Sequence, residues 1–149
     1  RVLGIGENAI AQGIESTRMI ARMEVIGEKP LIIRDGGHNE GCAEALYNFL
    51  KKYNVQNINM LIGLMADKDV EGYVSKIAPL CKSAVTVTPS NPRALNGEKL
   101  KEITEKYCNE VTFINNPQEG YKYIISNTEA DETILICGSF YMMSDIFGA

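Results

Sequence analysis

Residues 31–46 read "LIIRDGGHNEGCAEAL", and how this stretch is understood decides the fold. An apolar run introduced by Pro30 stops at Asp35, two glycines follow, and then come His38, Asn39 and a segment of mixed polarity. A short apolar run bounded by proline and glycine marks a buried strand. From Glu40 to Tyr53 the apolar residues Cys42, Leu46, Phe49, Leu50 and Tyr53 fall on one helical face, and Asn39 is placed to cap it. A strand that passes through a glycine turn into a helix is the building unit of a parallel sheet.

The unit recurs downstream. "INMLIGLM" (58–65) reads as a second buried strand, followed by a helix marked by Val70, Tyr73, Val74, Ile77 and Leu80. "SAVTVT" (83–88) is a strand rich in β-branched residues, and Asn96 then caps a helix carrying Leu100, Ile103 and Tyr107. After the strand "EVTFIN" (110–115), Asn116-Pro117-Gln118-Glu119 supplies an N-cap, a proline at the first helical position and a glutamate for a capping box. "TILIC" (133–137) is the last strand, and "SFYMMSDIF" opens a final helix. Upstream, "RMEVIG" (22–27) alternates polar and apolar residues, which suits an edge strand free to run antiparallel. The expected fold is α/β: a Rossmann-like, mostly parallel sheet of about six strands with helices on both faces. Residues 1–21 read as the end of an interdomain linker, with a short helix over "ENAIAQGI" closed by Gly13, and residues 22–149 as one α/β domain.

Composition narrows the function classes. The chain has 149 residues, 45% hydrophobic and 23% charged, which suits one soluble domain with one sizeable core. Its formal net charge is −4 and Lys and Arg do not cluster, so neither nucleic acid nor an anionic membrane is an expected partner. The apolar runs are too short to span a bilayer. Cys42, Cys81, Cys108 and Cys137 are widely spaced and form no CxxC pair, and the chain has one histidine, so no zinc site is expected. Cys81, Cys108 and Cys137 lie in or beside apolar segments, as buried thiols do, which fits a reducing, cytoplasmic setting. The chain opens at Arg1 without a secretory pattern and without methionine, and is expected to be processed or to be part of something longer.

In sheets of this kind ligands bind beyond the carboxyl ends of the strands, near the point where strand order reverses. The loops to examine are therefore "RDGGHNE", "GLMADKD", "TPSNPRAL" and "CGSF". Asp35 either caps a strand or helix end or accepts hydrogen bonds from a ribose, and spacing leaves both readings open. His38 is the one side chain whose ordinary pKa lies near neutrality, and its place in a glycine turn at the ligand edge favours function over a surface role. Asn39 is best read as the helix cap. Gly36 and Gly37 point to positive φ or to close approach of a ligand. Lys68, between Asp67 and Asp69, reads first as a solvated ion pair, and as a phosphate-neutralising cation if it faces the crevice. Arg93 is another cation at this edge, in a loop stiffened by Pro92. Ser139 is a helix N-cap or a contributor to anion binding at a helix start. Arg22, at the start of a strand, is ordinarily solvated. Neither GxxxxGK[ST] nor GxGxxG occurs, so this chain would hold any nucleotide only in part.

These loops, in this order, resemble the carboxyl-terminal domain of the folylpolyglutamate synthase / dihydrofolate synthase family, relatives of the Mur peptidoglycan ligases. The resemblance covers residues 7–147 and is carried by "ARMEVI" (21–26), "DGGHNEGCAEAL" (35–46), "GLMADKD" (63–69), "TPSNPRAL" (88–95) and "CGSFYMMSDI" (137–146). The family versions read approximately as a WPGR-containing strand, DGAHN-P, G-DKD, P-RA and TGS-Y. Three departures stand out: "MIA" (19–21) replaces the tryptophan-proline-glycine, Gly37 replaces alanine, and Glu40 replaces proline at the helix start. Glu40 still suits the positive end of a helix dipole.

The resemblance implies an ATP-dependent amide ligase. In such enzymes ATP phosphorylates a carboxylate of folate or dihydropteroate, the amino group of L-glutamate attacks the acyl phosphate, and phosphate leaves. It implies a partner surface on an amino-terminal ATPase domain that carries the P-loop and the magnesium (Mg) ligands, with none expected here. By similarity, Arg22 and Asp35 would contact ATP, while His38, Ser139 and Lys68 would face the cleft near the glutamate or the transferring phosphoryl group, His38 acting through position and charge. The domain alone is then expected to be inactive. Two other readings remain: a Mur-type ligase joining an amino acid to a cell-wall precursor, and a non-catalytic α/β nucleotide-binding module. The pairing of "DGGHN" with "DKD" favours the folate branch, and the last strand lacks the following lysine that a receiver-like module would need.

Overall fold

The computed structural model describes residues 22–148, so the segment "ENAIAQGI" and the "MIA" departure lie outside the described residues. Among those described, six strands form one sheet: β1 (Glu24–Glu28), β2 (Leu31–Asp35), β3 (Ile58–Ile62), β4 (Cys81–Thr86), β5 (Val111–Phe113) and β6 (Thr133–Cys137). Their order is β1-β2-β6-β3-β4-β5. β1 is an antiparallel edge strand and every other neighbouring pair is parallel. The connections are α1 (Glu40–Lys52), α2 (Val70–Ile77) with a 3-10 turn over Ala78–Leu80, α3 (Gly97–Thr104) and α4 (Pro117–Ser126), and α5 (Phe140–Phe147) closes the chain.

β3 and β6 are buried at every position because helices cover both of their faces. Ile58, Met60, Ile62, Leu135, Cys137 and Ile33 point to one core, where Leu46 and Leu50 of α1, Tyr73, Val74 and Ile77 of α2, and Leu100 of α3 meet them. Leu61, Ile134, Ile136 and Val85 point the other way, toward Ile124 of α4 and Met142 and Met143 of α5. Period-2 alternation thus divides each central strand between two separate cores.

Some boundaries move. α1 buries Ala43, Leu46 and Leu50, a face turned slightly from the expected one, and leaves Cys42 and Phe49 half-buried. α2 stops at Ile77 rather than Leu80, because Pro79 has no N–H to continue the helical ladder. Tyr107 lies beyond α3. β3 ends at Ile62, while Leu64 and Met65 stay buried in the loop and Met65 bridges Ala94.

Two features set the functional edge. Asp35, Cys137, Ile62, Thr86 and Phe113 are successive register partners across the five parallel strands, so the following loops leave from one line. Every described helix follows a parallel strand, so all five helix N-termini open at that edge. Each is capped by a side chain: Asn39, Asp69, Asn96, Asn116 and Ser139. Five positive helix ends at one edge favour an anionic ligand there.

Candidate active site

β6 lies between β2 and β3, yet α5 packs on the opposite face from α1 and α2. The chain therefore diverges on either side of the end of β6, and in folds of this kind such a divergence places the ligand crevice among the loops after β2, β6 and β3. Asp35, His38, Ser139 and Lys68 all lie on these loops or at their root, and Arg22, which the sequence placed at the start of a strand, lies instead on the approach to β1, ahead of Glu24.

Asp35 ends β2 and is 2% exposed. Its Oδ1 accepts the Gly37 N–H at 2.8 Å and its Oδ2 the Met23 N–H at 3.0 Å. The carboxylate therefore fastens the approach to β1, where Met23 has a φ of 52°, to the loop after β2. Burial pushes the Asp35 carboxyl up, against the lowering effects of those two N–H groups and of the Arg22 charge. Arg22 itself is exposed beside it. The pair thus presents an accessible cation over a buried anion.

Neither Gly36 nor Gly37 has positive φ. A side chain on Gly36 would lie 2.4 Å from the Phe140 ring, and one on Gly37 would lie 2.5 Å from Cys42 Cβ and 2.7 Å from Asp35 Oδ1. Close approach is the reason for both glycines, and the groups that approach are the protein's own. The turn leaves His38 half-buried at its outer end. Asn39 accepts the Cys42 N–H at 2.9 Å and is the helix cap.

The loop after β6 needs its glycine for conformation: Gly138 has φ 109°, and a Cβ there would sit 2.7 Å from the Gly63 carbonyl oxygen. This brings the loops after β6 and β3 together. Ser139 is buried, and its Oγ accepts the Tyr141 N–H at 3.1 Å, which caps α5. Lys68 is half-buried with its Nζ 3.7 Å from Asp67 Oδ2, and Arg93 Nη1 reaches the same oxygen at 3.5 Å. Asp67 thus bridges two cations from different loops, an exposed arrangement that contributes little stability. Arg93 also donates from Nη2 to the Tyr141 hydroxyl at 3.3 Å and lies 5.9 Å from that ring's centroid.

The sequence reading named Asp67 only as an ion-pair neighbour of Lys68 and Tyr141 only within a motif, and linked neither to Arg93. The signal for Tyr141 was present: an aromatic pair, Phe140 and Tyr141, directly after a helix cap at the ligand edge, both left exposed in the fold. Beneath the crevice the Tyr73 hydroxyl is fully buried beside the Cys137 thiol, with no nitrogen or oxygen partner among the described residues. Burial pushes its pKa well up, and the nearby Asp35 carboxylate acts in the same direction. Among the described residues, no group of three or more His, Cys, Asp or Glu side chains is placed to hold a metal ion. The donor set suits anions instead: Arg22 beside Asp35, and Lys68 and Arg93 about Asp67, lie at an edge already made positive by helix ends.

The family described as Mur ligase, glutamate ligase domain matches residues 21–140. The chain is 26% identical over 145 residues to the dihydrofolate synthase/folylpolyglutamate synthase of Escherichia coli (strain K12), covering 97% of this chain and 33% of that protein. It is 30% identical over 138 residues to the folylpolyglutamate synthase of Lacticaseibacillus casei, covering 92% of this chain and 31% of that one. The solved structure of E. coli FolC in complex with DHPP and ADP superimposes with a TM-score of 0.81 at 25% identity, covering 98% of this chain and 34% of that chain. The chain thus spans about a third of the length of these relatives. A family match over most of the chain, with a fold that superimposes on that of a relative, leads to one conclusion: this chain belongs to the Mur ligase family, as its glutamate ligase domain.

Proposed function

We propose that this chain is the carboxyl-terminal domain of an ATP-dependent ligase that joins L-glutamate to folate or dihydropteroate in the cytoplasm. The observation that carries the reading is the set of cations, Lys68 and Arg93 on loops that leave one sheet edge among five helix N-termini and Arg22 on the approach to β1. The relatives matched over nearly the whole chain bear the names of such ligases, and the structural neighbour holds ADP.

ATP, when bound, supplies the phosphoryl group that activates the carboxylate. The residues of this chain position and neutralise. Arg22, supported from beneath by the buried Asp35, faces the nucleotide. Arg93 and Lys68 offer a guanidinium fork and an ammonium to carboxylates of the incoming glutamate. His38 and Ser139 border the transfer centre, His38 as a polar wall and Ser139 by keeping the α5 N-terminus in place. The Mg ligands and the phosphate loop are assigned to an amino-terminal ATPase domain, and closure of the two parts would exclude water from the activated intermediate.

The test is ATP-dependent incorporation of labelled glutamate into folate or dihydropteroate by the complete protein. Arg93→Ala should raise KM for glutamate at least about tenfold, the range expected when a charged hydrogen-bonding partner is removed. Ligation of an amino acid to a UDP-muramoyl peptide, with none to a pteroate, would overturn the folate assignment.

A further inference from the structure

We propose that Asp145 is a positioning residue: it sets the place of the Arg93 guanidinium through the backbone of the loop after β4. The inference rests on the reading of Arg93 as the glutamate-binding cation. Asp145 lies in the last turn of α5, where a carboxylate faces the negative end of the helix dipole, and no basic residue in that turn offsets it. What offsets it comes from another loop. Its Oδ2 accepts the Ser90 N–H at 2.8 Å, a charge-assisted hydrogen bond spanning 55 residues of sequence. The Asp145 carbonyl accepts Gln118 Nε2 at 2.9 Å, which ties the same turn to the start of α4.

One turn earlier on the same stripe of α5 stands Tyr141, the residue whose hydroxyl and ring meet Arg93. α5 therefore holds the loop twice, by its backbone at Ser90 and by its cation at Arg93. The segment between is stiff. Pro89 and Pro92 fix two φ angles, the Asn91 N–H donates to the Pro89 carbonyl at 2.8 Å, and the Arg93 N–H donates to Asn91 Oδ1 at 2.9 Å. A shift at Ser90 is transmitted along such a segment rather than absorbed. The far side is fastened to the loop after β3, where Ala66 donates to the Arg93 carbonyl at 2.8 Å and Leu95 to the Leu64 carbonyl at 2.9 Å. Loss of the Asp145 carboxylate removes the backbone hold at Ser90 and leaves α5 holding the loop through the Tyr141 contact with the Arg93 side chain, so the loop pivots about its attachment to the loop after β3 and carries the guanidinium out of register with its ligand.

The experiment compares Asp145→Ala, Asp145→Asn and Arg93→Ala in the complete ligase, with the Asp145→Ala/Arg93→Ala double variant. Asp145→Ala should raise KM for glutamate about tenfold while KM for ATP and Tm barely move, because misplacement by about 1 Å is enough for such a loss. Asp145→Asn, which keeps an oxygen to accept the Ser90 N–H, should recover most of it. In the Arg93→Ala background, Asp145→Ala should add nothing, since it acts through Arg93. The proposal falls if Asp145→Ala leaves KM for glutamate unchanged while Arg93→Ala raises it. It falls also if the two effects add, or if Asp145→Asn is as impaired as Asp145→Ala. If Arg93→Ala itself has no effect on KM for glutamate, the reading of the site fails and takes this inference with it.

Discussion

Asp35 shows how one residue can answer to two demands. Its carboxylate is buried, and both oxygens are used to hold backbone N–H groups of Gly37 and Met23. Asp35→Ala would leave two N–H groups without that acceptor and should cost about 2–3 kcal/mol, measured by denaturant unfolding. The pH dependence has a definite sign. Burial raises the folded pKa above the unfolded value, so the folded state binds more protons in that window. Stability relative to Asp35→Asn should therefore fall as pH rises from the ordinary aspartate value through the raised one, and level off above it. The position of Asp35 at a strand end was legible in the sequence. Its burial was not, because the Met23 N–H that closes over it comes from the approach to a strand paired only in the fold.

At the scale of elements, the edge opposite the crevice carries a connected polar group centred on Glu132. Glu132, just before β6, accepts Asn59 Nδ2 of β3 at 3.2 Å and the Glu129 N–H at 3.0 Å, and pairs with Lys82 of β4. Asn59 in turn accepts the Ser83 hydroxyl at 2.6 Å. The Lys82 hydrogen bond, with lesser help from the Glu129 N–H, holds the Glu132 carboxyl below the ordinary glutamate range. A lowered folded pKa contributes stability that is present above the unfolded value and lost as pH falls through the folded one. Glu132→Gln should thus cost about 1–2 kcal/mol at neutral pH, with the gap to wild type closing in acid, as read from Tm against pH. The strands and helices themselves were visible in hydrophobic period and in the capping residues Asn39, Asn96, Asn116 and Ser139. The polar network was not, since Asn59, Lys82 and Glu132 become neighbours only when β6 inserts between β2 and β3.

At the scale of the molecule, the crevice offers cations and helix ends but, among the described residues, no metal-holding cluster. The domain on its own should show no ADP release from ATP, and the complete protein should show it on addition of folate and glutamate. Turnover by the isolated domain would contradict the division of labour proposed here. By itself the sequence determined the α/β class, the number and sequential order of the strands, the helix caps Asn39, Asn96, Asn116 and Ser139 and the loops that carry charge, because each depends on residues near one another in the chain. Only the tertiary structure decided that β6 occupies the gap between β2 and β3, that Phe140 and Cys42 are the reason for Gly36 and Gly37, and that Tyr141 and Asp67 hold Arg93. These are contacts between segments far apart in sequence, and no local periodicity encodes a partner that must arrive from another strand.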